Sequence, residues 1–319
     1  MTFPFDGAAR MGLGLAAVGR PGYINLGHGG DLPAERTVEA LRDRAHALLD
    51  AAYAAGVRYV DAARSYGRAE EFLAEWLAAR PDIDDVVIGS KWGYTYTAGW
   101  KVDAELHERK DHSLATFERQ SAETRALLDR LDIYQIHSVT PGSTALTDQA
   151  LHRRLADLAA DGVVVGLSTS GPEQGTTIRA ALDVRVDGTR LFRSVQATWN
   201  LLEQSAGQAL AEAHRAGCLV IVKEALANGR LAGRDRGPGA AITAIARELA
   251  TKPDVVALAV ALHQPWAGVV LSGAATTAQL TSNVTATTLA LGPDHLARLT
   301  ALAEPPARYW QHRSRLAWT

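Results

Sequence analysis

The chain has 319 residues, 47% of them apolar in type and 21% charged, with 28 glycines and 12 prolines; this allows a large buried core and excludes a collagen-like or disordered composition. A net charge of −2 with no dense Lys/Arg run gives no reason to expect a nucleic acid or another polyanion as partner. The single cysteine, Cys218, excludes an intramolecular disulfide framework, fits a reducing cytoplasm and reads as a small buried hydrophobe. The opening MTFPFDGAARMG lacks a basic segment followed by an apolar one, and no apolar run approaches the about 20 residues that span a bilayer. The expectation is a soluble cytoplasmic protein without a membrane partner.

Short apolar runs alternate with longer amphipathic stretches along the chain. A first strand is predicted over residues 11–17, followed by a long loop, 20–35, that carries Tyr23 and His28. A helix over 37–55 comes next, with Leu41, Ala45, Leu48, Leu49 and Ala52 at three- and four-residue spacing. The second strand, 58–61, ends on Asp61 within GVRYVDAARSYG; Tyr66 stands five residues later in the turn, before a helix over 70–79. The third, 86–91, reads VVIGSK, ends on Lys91 and opens a second long loop, 92–112, with Trp92, Tyr94, Tyr96 and Trp100. A helix over 114–130 leads to a fourth strand, 133–137, that ends on His137. Four more strands, 163–168, 192–197, 219–223 and 268–272, alternate with helices over 148–160, 174–181, 206–215, 240–250 and 254–263, the last with Pro253 in its first turn. A helix over 276–286 follows, and the tail from residue 304, with Tyr309, Trp310 and Trp318, reads as irregular.

Near-continuous apolar runs such as VVVGLS and GVVLS fit parallel strands covered on both faces. Eight strands in strict alternation with helices predict an α/β fold with right-handed crossovers: a (β/α)₈ TIM barrel with long loops at its C-terminal mouth, one domain over residues 1–319. A doubly wound open sheet is the alternative, but no G-x-G-x-x-G turn follows the first strand.

In such a barrel Asp61, Lys91, His137 and Tyr66 converge on one mouth. A tyrosine of ordinary pKa, about 10, is a poor acid at neutral pH. A neighbouring Lys91 ammonium is expected to stabilise the phenolate, lower that pKa and make Tyr66 a proton donor to a carbonyl oxygen. Asp61 would keep Lys91 charged and fixed, and His137 would hydrogen-bond the substrate oxygen. Singly, each has a plainer reading as a cap, a turn residue or a half-buried histidine. Tyr23, Trp92, Tyr94, Trp100 and Trp310 are expected to line an apolar substrate pocket, the plainer reading being loop packing.

DAARSYG resembles the D-T-A-x-x-Y-G of the aldo-keto reductase superfamily, and YGRAEEFL its Y-G-x-x-E-x-x-L. VVIGSK and DIYQIHS look like its strand-three lysine and strand-four histidine segments. GVVVGLSTS, SVQATWNLLE and SGAATTAQLTSN are similar to its later strand-end stretches, so the likeness runs from about Gly12 to Ala286. It implies hydride transfer between a nicotinamide and a carbonyl carbon, with Tyr66 as general acid, Lys91 and Asp61 as its supporting pair and His137 orienting the carbonyl. It further implies that Gly14 and Leu15 line the cofactor channel beside Asp61. Ser168 and Gln196 would hold the nicotinamide carboxamide, with Thr169 replacing the usual asparagine. Ala225, Leu226, Gly229 and Arg230 follow in the loop after strand seven, and Ser272, Gly273, Thr276, Gln279 and Asn283 would hold the adenosine end. Lys223 stands where many members stack an aromatic ring on the nicotinamide. Gly273 and Gln279 replace the cations that often grip the 2′-phosphate; Arg230, Arg234 and Arg236 are alternative sources of charge, and NADPH is expected over NADH. No metal is expected. The same residues would serve an aldose or alcohol dehydrogenase running oxidatively, or a slow cofactor-sensing subunit.

Overall fold

A computed structural model describes residues 5–235 and 237–319. Eight parallel strands close into a barrel: β1 (Met11–Gly14), β2 (Tyr59–Asp61), β3 (Val87–Trp92), β4 (Ile133–Val139), β5 (Val164–Thr169), β6 (Ser194–Thr198), β7 (Leu219–Lys223) and β8 (Val269–Ser272). Each strand pairs with its neighbours in sequence, and β8 closes on β1. The barrel is the expected one, and the open sheet is set aside.

Strand alternation sorts the side chains between the barrel lumen and the layer of helices around it. Tyr59, Ile133, Ile221, Val269 and Leu271 form their own apolar cluster and plug the lower lumen. Glycines make room for them: a Cβ on Gly89 would meet Tyr59 Oη at 2.2 Å, and one on Gly12 would meet the Leu271 and Tyr59 side chains at 2.8 Å. The out-pointing residues pack against helices in one continuous core that includes Ile88, Ile136, Val165 and Leu167. The helix Val38–Ala54 buries the five apolar residues its spacing marks, and Thr37 caps it by accepting from the amide of Ala40.

Three regions read as irregular carry structure. The loop 92–112 contains an antiparallel hairpin, Tyr94–Tyr96 with Glu108–Lys110. The loop 20–35 holds one helical turn, His28–Asp31. The tail from residue 304 folds into the helix Pro306–Ser314, and a further helix, Pro293–Thr300, precedes it, each with proline in its first turn. Both are short enough to be marginal alone, so docking holds them, which is why local pattern does not reveal them. No described helix is long and apolar enough to cross a membrane, and no described group of His, Cys, Asp and Glu is placed to hold a metal.

Candidate active site

Because Asp61 ends β2 and Lys91 stands one residue before the end of β3, both on lumen-facing positions, their side chains meet. Lys91 Nζ donates to Asp61 Oδ2 at 2.5 Å and to the Ala62 carbonyl at 3.0 Å. Asp61 Oδ1 also accepts from Gln196 Nε2 at 2.8 Å and from Tyr59 Oη at 3.3 Å. The buried carboxylate is therefore surrounded by donors, as a desolvated charge requires. Gln196 Nε2 also reaches Gln135 Oε1, and Gln135 in turn donates to Ser194 Oγ, so a polar ladder braces the pair from inside the barrel.

The turn after β2 places Tyr66 over this pair. The amide of Tyr66 donates to the Ala63 carbonyl, and that of Arg68 to the Gly19 carbonyl, pinning the turn to the loop after β1. Lys91 Nζ donates to Tyr66 Oη at 3.4 Å. Gly67 makes this possible, with φ at +61° and its Cα against the Gly19 carbonyl, which a Cβ would meet at 2.4 Å. Gly67→Ala is expected to cost about 1–3 kcal/mol from backbone strain alone, and more from the clash, read by urea unfolding.

His137 lies on a bulge of β4, between the paired positions Ile136 and Val139; such bulges re-aim side chains beside sites. Its ring meets the Tyr66 ring edge-on at 5.5 Å, and its Nδ1 contacts Ser65 Oγ at 3.4 Å. Burial, then the Lys91 and Lys223 cations, hold its pKa well below 6.5, so the imidazole is neutral. For Tyr66 the outcome differs from expectation. Burial, followed by the Asp61 charge, raises the phenol pKa well above 10, and the opposing cation is Arg20. In the resting protein burial outweighs the cations, and the phenol keeps its proton.

These groups open onto a cavity of about 500 Å³ at the C-terminal mouth. Asp61, Tyr66 and His137 line one part of it. Gly14, Gln196, Lys223, Ala225, Leu226, Gly229, Ser272, Gly273, Gln279 and Asn283 line the remainder, as does Arg234. A larger hollow of about 1210 Å³ opens among the strand starts at the opposite end, lined by residues such as Arg10, Val164, Leu219 and Gly268, and none of the four convergent groups reaches it.

Several expected residues sit behind the wall, turn away from it or are engaged in structural hydrogen bonds. Leu15 is fully buried in a turn of 3₁₀ helix, and Ala16 and Ala17 line the cavity instead. Ser168 Oγ accepts from the Ser138 amide, and Thr169 Oγ1 donates to Gln174, both behind the cavity wall, where Ser138 and Ser170 are the facing residues. Thr276 caps the helix Thr277–Val284 in a capping box with Gln279, whose Oε1 accepts from the Ala275 and Thr276 amides. Asn283 bridges the Ser272 hydroxyl and Asp254. Arg230 is turned away and neutralised by Glu304 and Asp235. Arg236 lies outside the described residues.

The aromatic wall also needs correction. Tyr23 and Tyr94 line the cavity, but Trp92, Trp100 and Trp310 do not. Trp92 follows lumen-facing Lys91 by one residue, so alternation turns it outward onto Phe117 and His112. Trp100 donates to the Arg36 carbonyl at 2.8 Å and packs on Phe72. Trp310 is buried beside Tyr309 on the C-terminal helix. The tail instead contributes Arg313, Leu316 and Trp318. Trp318 stacks on His107 at 4.0 Å, Arg20 lies 4.7 Å from its ring centroid, and Tyr23 and Thr319 exchange backbone hydrogen bonds.

Arg20, Glu108, Glu224 and Arg313 are further cavity residues that sequence reasoning missed. Arg20 pairs with Glu108 at 2.5 Å across 88 positions, and Arg313 grips Glu224 across 89. No local signal announces such pairs; only the KE dipeptide at the end of β7 marks an unusual charge.

The model of the aldo/keto reductase family matches residues 22–304. Aldo-keto reductase ausK of Emericella nidulans is 29% identical over 205 residues, covering 61% of this chain and 49% of the relative. Norsolorinic acid reductase stcV of the same organism is 26% identical over 287 residues, 81% of this chain and 71% of the relative. The aryl-alcohol dehydrogenase (NADP(+)) of Phanerodontia chrysosporium is 26% identical over 161 residues, 48% of this chain and 41% of the relative. The chain thus spans about half the length of the first of these relatives, 49% of ausK. Among solved structures, aldo-keto reductase AKR11C1 from Bacillus halodurans, in its holo form, shares the fold with a TM-score of 0.70 over 95% of each chain at 21% identity.

Proposed function

The chain belongs to the aldo/keto reductase family, and on that premise we propose that it reduces an aldehyde or ketone to the alcohol with a nicotinamide cofactor, Tyr66 supplying the proton. One observation carries this reading: Lys91 Nζ, fixed on Asp61 at 2.5 Å, donates to Tyr66 Oη at 3.4 Å where the phenol meets the cavity.

Since Lys91 donates to the phenolic oxygen, the phenol's own proton is free to point at a carbonyl oxygen. The neutral His137 can accept from Ser65 at Nδ1 and then carries its proton on Nε2, a second donor to that oxygen. Hydride addition to the carbonyl carbon and proton transfer from Tyr66 together give the alcohol and leave a phenolate. The Lys91 and Arg20 cations meet that charge only as it develops, so they favour the transition state over the resting state. Solvent then returns the proton to Tyr66.

When bound, a reduced nicotinamide dinucleotide supplies the hydride. The residues present suit such a group. Gln196 commits its Nε2 to Asp61 and Gln135, which leaves Oε1 to accept from a carboxamide. At the other end of the cavity Gly273 has open space around its Cβ direction, beside the start of the helix Thr277–Val284. Among the described arginines of the β7 loop, Arg234 lines the cavity, held by Asp31 and the Leu26 carbonyl, and it is the proposed 2′-phosphate contact. The NADP(+) in the name of the aryl-alcohol dehydrogenase relative supports NADPH over NADH.

Purified protein given NADPH and a panel of aromatic aldehydes should consume the cofactor, seen as loss of its absorbance; no consumption with any carbonyl overturns the reading. Arg234→Met should weaken NADPH binding about 10–100-fold, the worth of a charge-assisted hydrogen bond, and leave NADH binding nearly unchanged. Equal losses for both cofactors would place the 2′-phosphate elsewhere.

A further inference from the structure

We propose that Lys223 makes the cavity selective for a carbonyl substrate that carries an anionic group such as a carboxylate. This rests on the reductase reading above. Lys223 ends β7, faces the cavity and is only 16% exposed in its side chain. Its Nζ donates to Thr198 Oγ1 at 3.0 Å. Among the described residues the one carboxylate within ion-pair distance is Glu224, at 3.9 Å. That carboxylate is already spent: Arg313 Nε reaches both its oxygens at 3.0 and 2.9 Å, and Arg313 Nη2 reaches Oε1 at 2.5 Å.

Counting charge at the reacting end leaves Lys223 over. Lys91 is matched by Asp61, Arg20 by Glu108 and Arg313 by Glu224, each at 2.5 Å. His137 is neutral. A largely buried ammonium with a hydroxyl as its closest partner is costly unless a ligand supplies the opposite charge. Burial accordingly pulls the Lys223 pKa down to about 8, so the group is still mainly charged at neutral pH and lacks a full counter-ion. An anion on a substrate whose carbonyl lies against Tyr66 would complete the pairing, at a largely buried group for which such a hydrogen bond counts more than at the surface.

The test compares the carboxybenzaldehyde isomers with their methyl esters. The wild type should favour the best acid over its ester by about ten-fold or more in kcat/KM, and in Lys223→Met that ratio should fall to near one through KM. A wild-type ratio near one, or a ratio that survives in Lys223→Met, overturns the proposal. A second arm needs no turnover: calorimetric titration of wild type and variant with benzoate and with benzamide. Tighter benzoate binding that disappears in Lys223→Met supports the anion site, and equal affinity for the two in the wild type overturns it. Should benzoate discrimination hold while no aldehyde is consumed, the anion site stands and the reductase reading falls. Methionine keeps the length and volume of the lysine stem, so the variant should fold, checked by its circular dichroism.

Discussion

Tyr66→Phe is expected to lower kcat for carbonyl reduction by about 10²–10⁴-fold, the usual worth of a positioned general acid, while reduced-cofactor binding, followed by fluorescence, changes little. Phenylalanine keeps the ring against His137 at 5.5 Å and beneath Arg20, whose guanidinium lies 5.3 Å from the ring centroid, so the packing of the mouth survives. What is lost is the oxygen that accepts from Lys91 and carries the proton. The pH profile adds a second check. Burial raises the Tyr66 pKa above 10, so the donor is fully protonated at every lower pH and loses its proton only as pH rises through that raised value. Reduction by the wild type should therefore show no alkaline fall from this group below pH 10. A limb near neutrality that vanishes in Tyr66→Phe would show that Lys91 outweighs burial after all, and turnover unchanged by the substitution would remove Tyr66 from the chemistry.

Arg313→Met is expected to destabilise the fold by about 3–5 kcal/mol, the cost of leaving one member of a buried ion pair uncompensated. Glu224 is nearly buried, has φ at +55°, and depends on Arg313 and on the Thr198 hydroxyl, which donates to it at 3.1 Å. Desolvation opposes its charge, but the Arg313 and Lys223 cations prevail and bring its pKa from 4.5 down to about 2. The sign follows: a depressed carboxylate contributes stability above pH 4.5 and loses it as pH falls from 4.5 towards 2. Urea unfolding of the wild type should weaken across that window. In Arg313→Met the deficit should be largest at neutral pH and shrink as Glu224 protonates, and Glu224→Gln combined with Arg313→Met should recover much of it. Because Arg313 ties the helix Pro306–Ser314 to the end of β7, its loss should also loosen Leu316 and Trp318 over the cavity and raise KM. Stability unchanged by Arg313→Met would mean that the pair is not formed in solution.

The barrel and the four convergent residues were legible in the sequence for one reason. Apolar runs of strand length and helical spacing are local properties, and a residue at the end of a parallel strand has its place in a barrel fixed by that alone. Asp61 and Lys91 needed nothing more, whereas His137 is also aimed by the bulge of β4. Trp92 was misread even though the same rule governed it: one position beyond a lumen-facing lysine, alternation sends it outward.

Other features depended on chain closure. The partner of Arg20 stands 88 residues away, that of Glu224 stands 89 away, and Thr319 pairs with Tyr23 at the other end of the chain. The rise in the Tyr66 pKa likewise comes from the burial that the assembled loops impose, which no neighbour in sequence encodes. By itself, then, the sequence determined the barrel and the four polar residues that meet at its mouth, because periodicity and strand ends are local. Only the tertiary structure decided which aromatic rings face the cavity, where the tail lies and that Lys223 shares its one nearby carboxylate with Arg313, because those depend on which distant groups closure brings together.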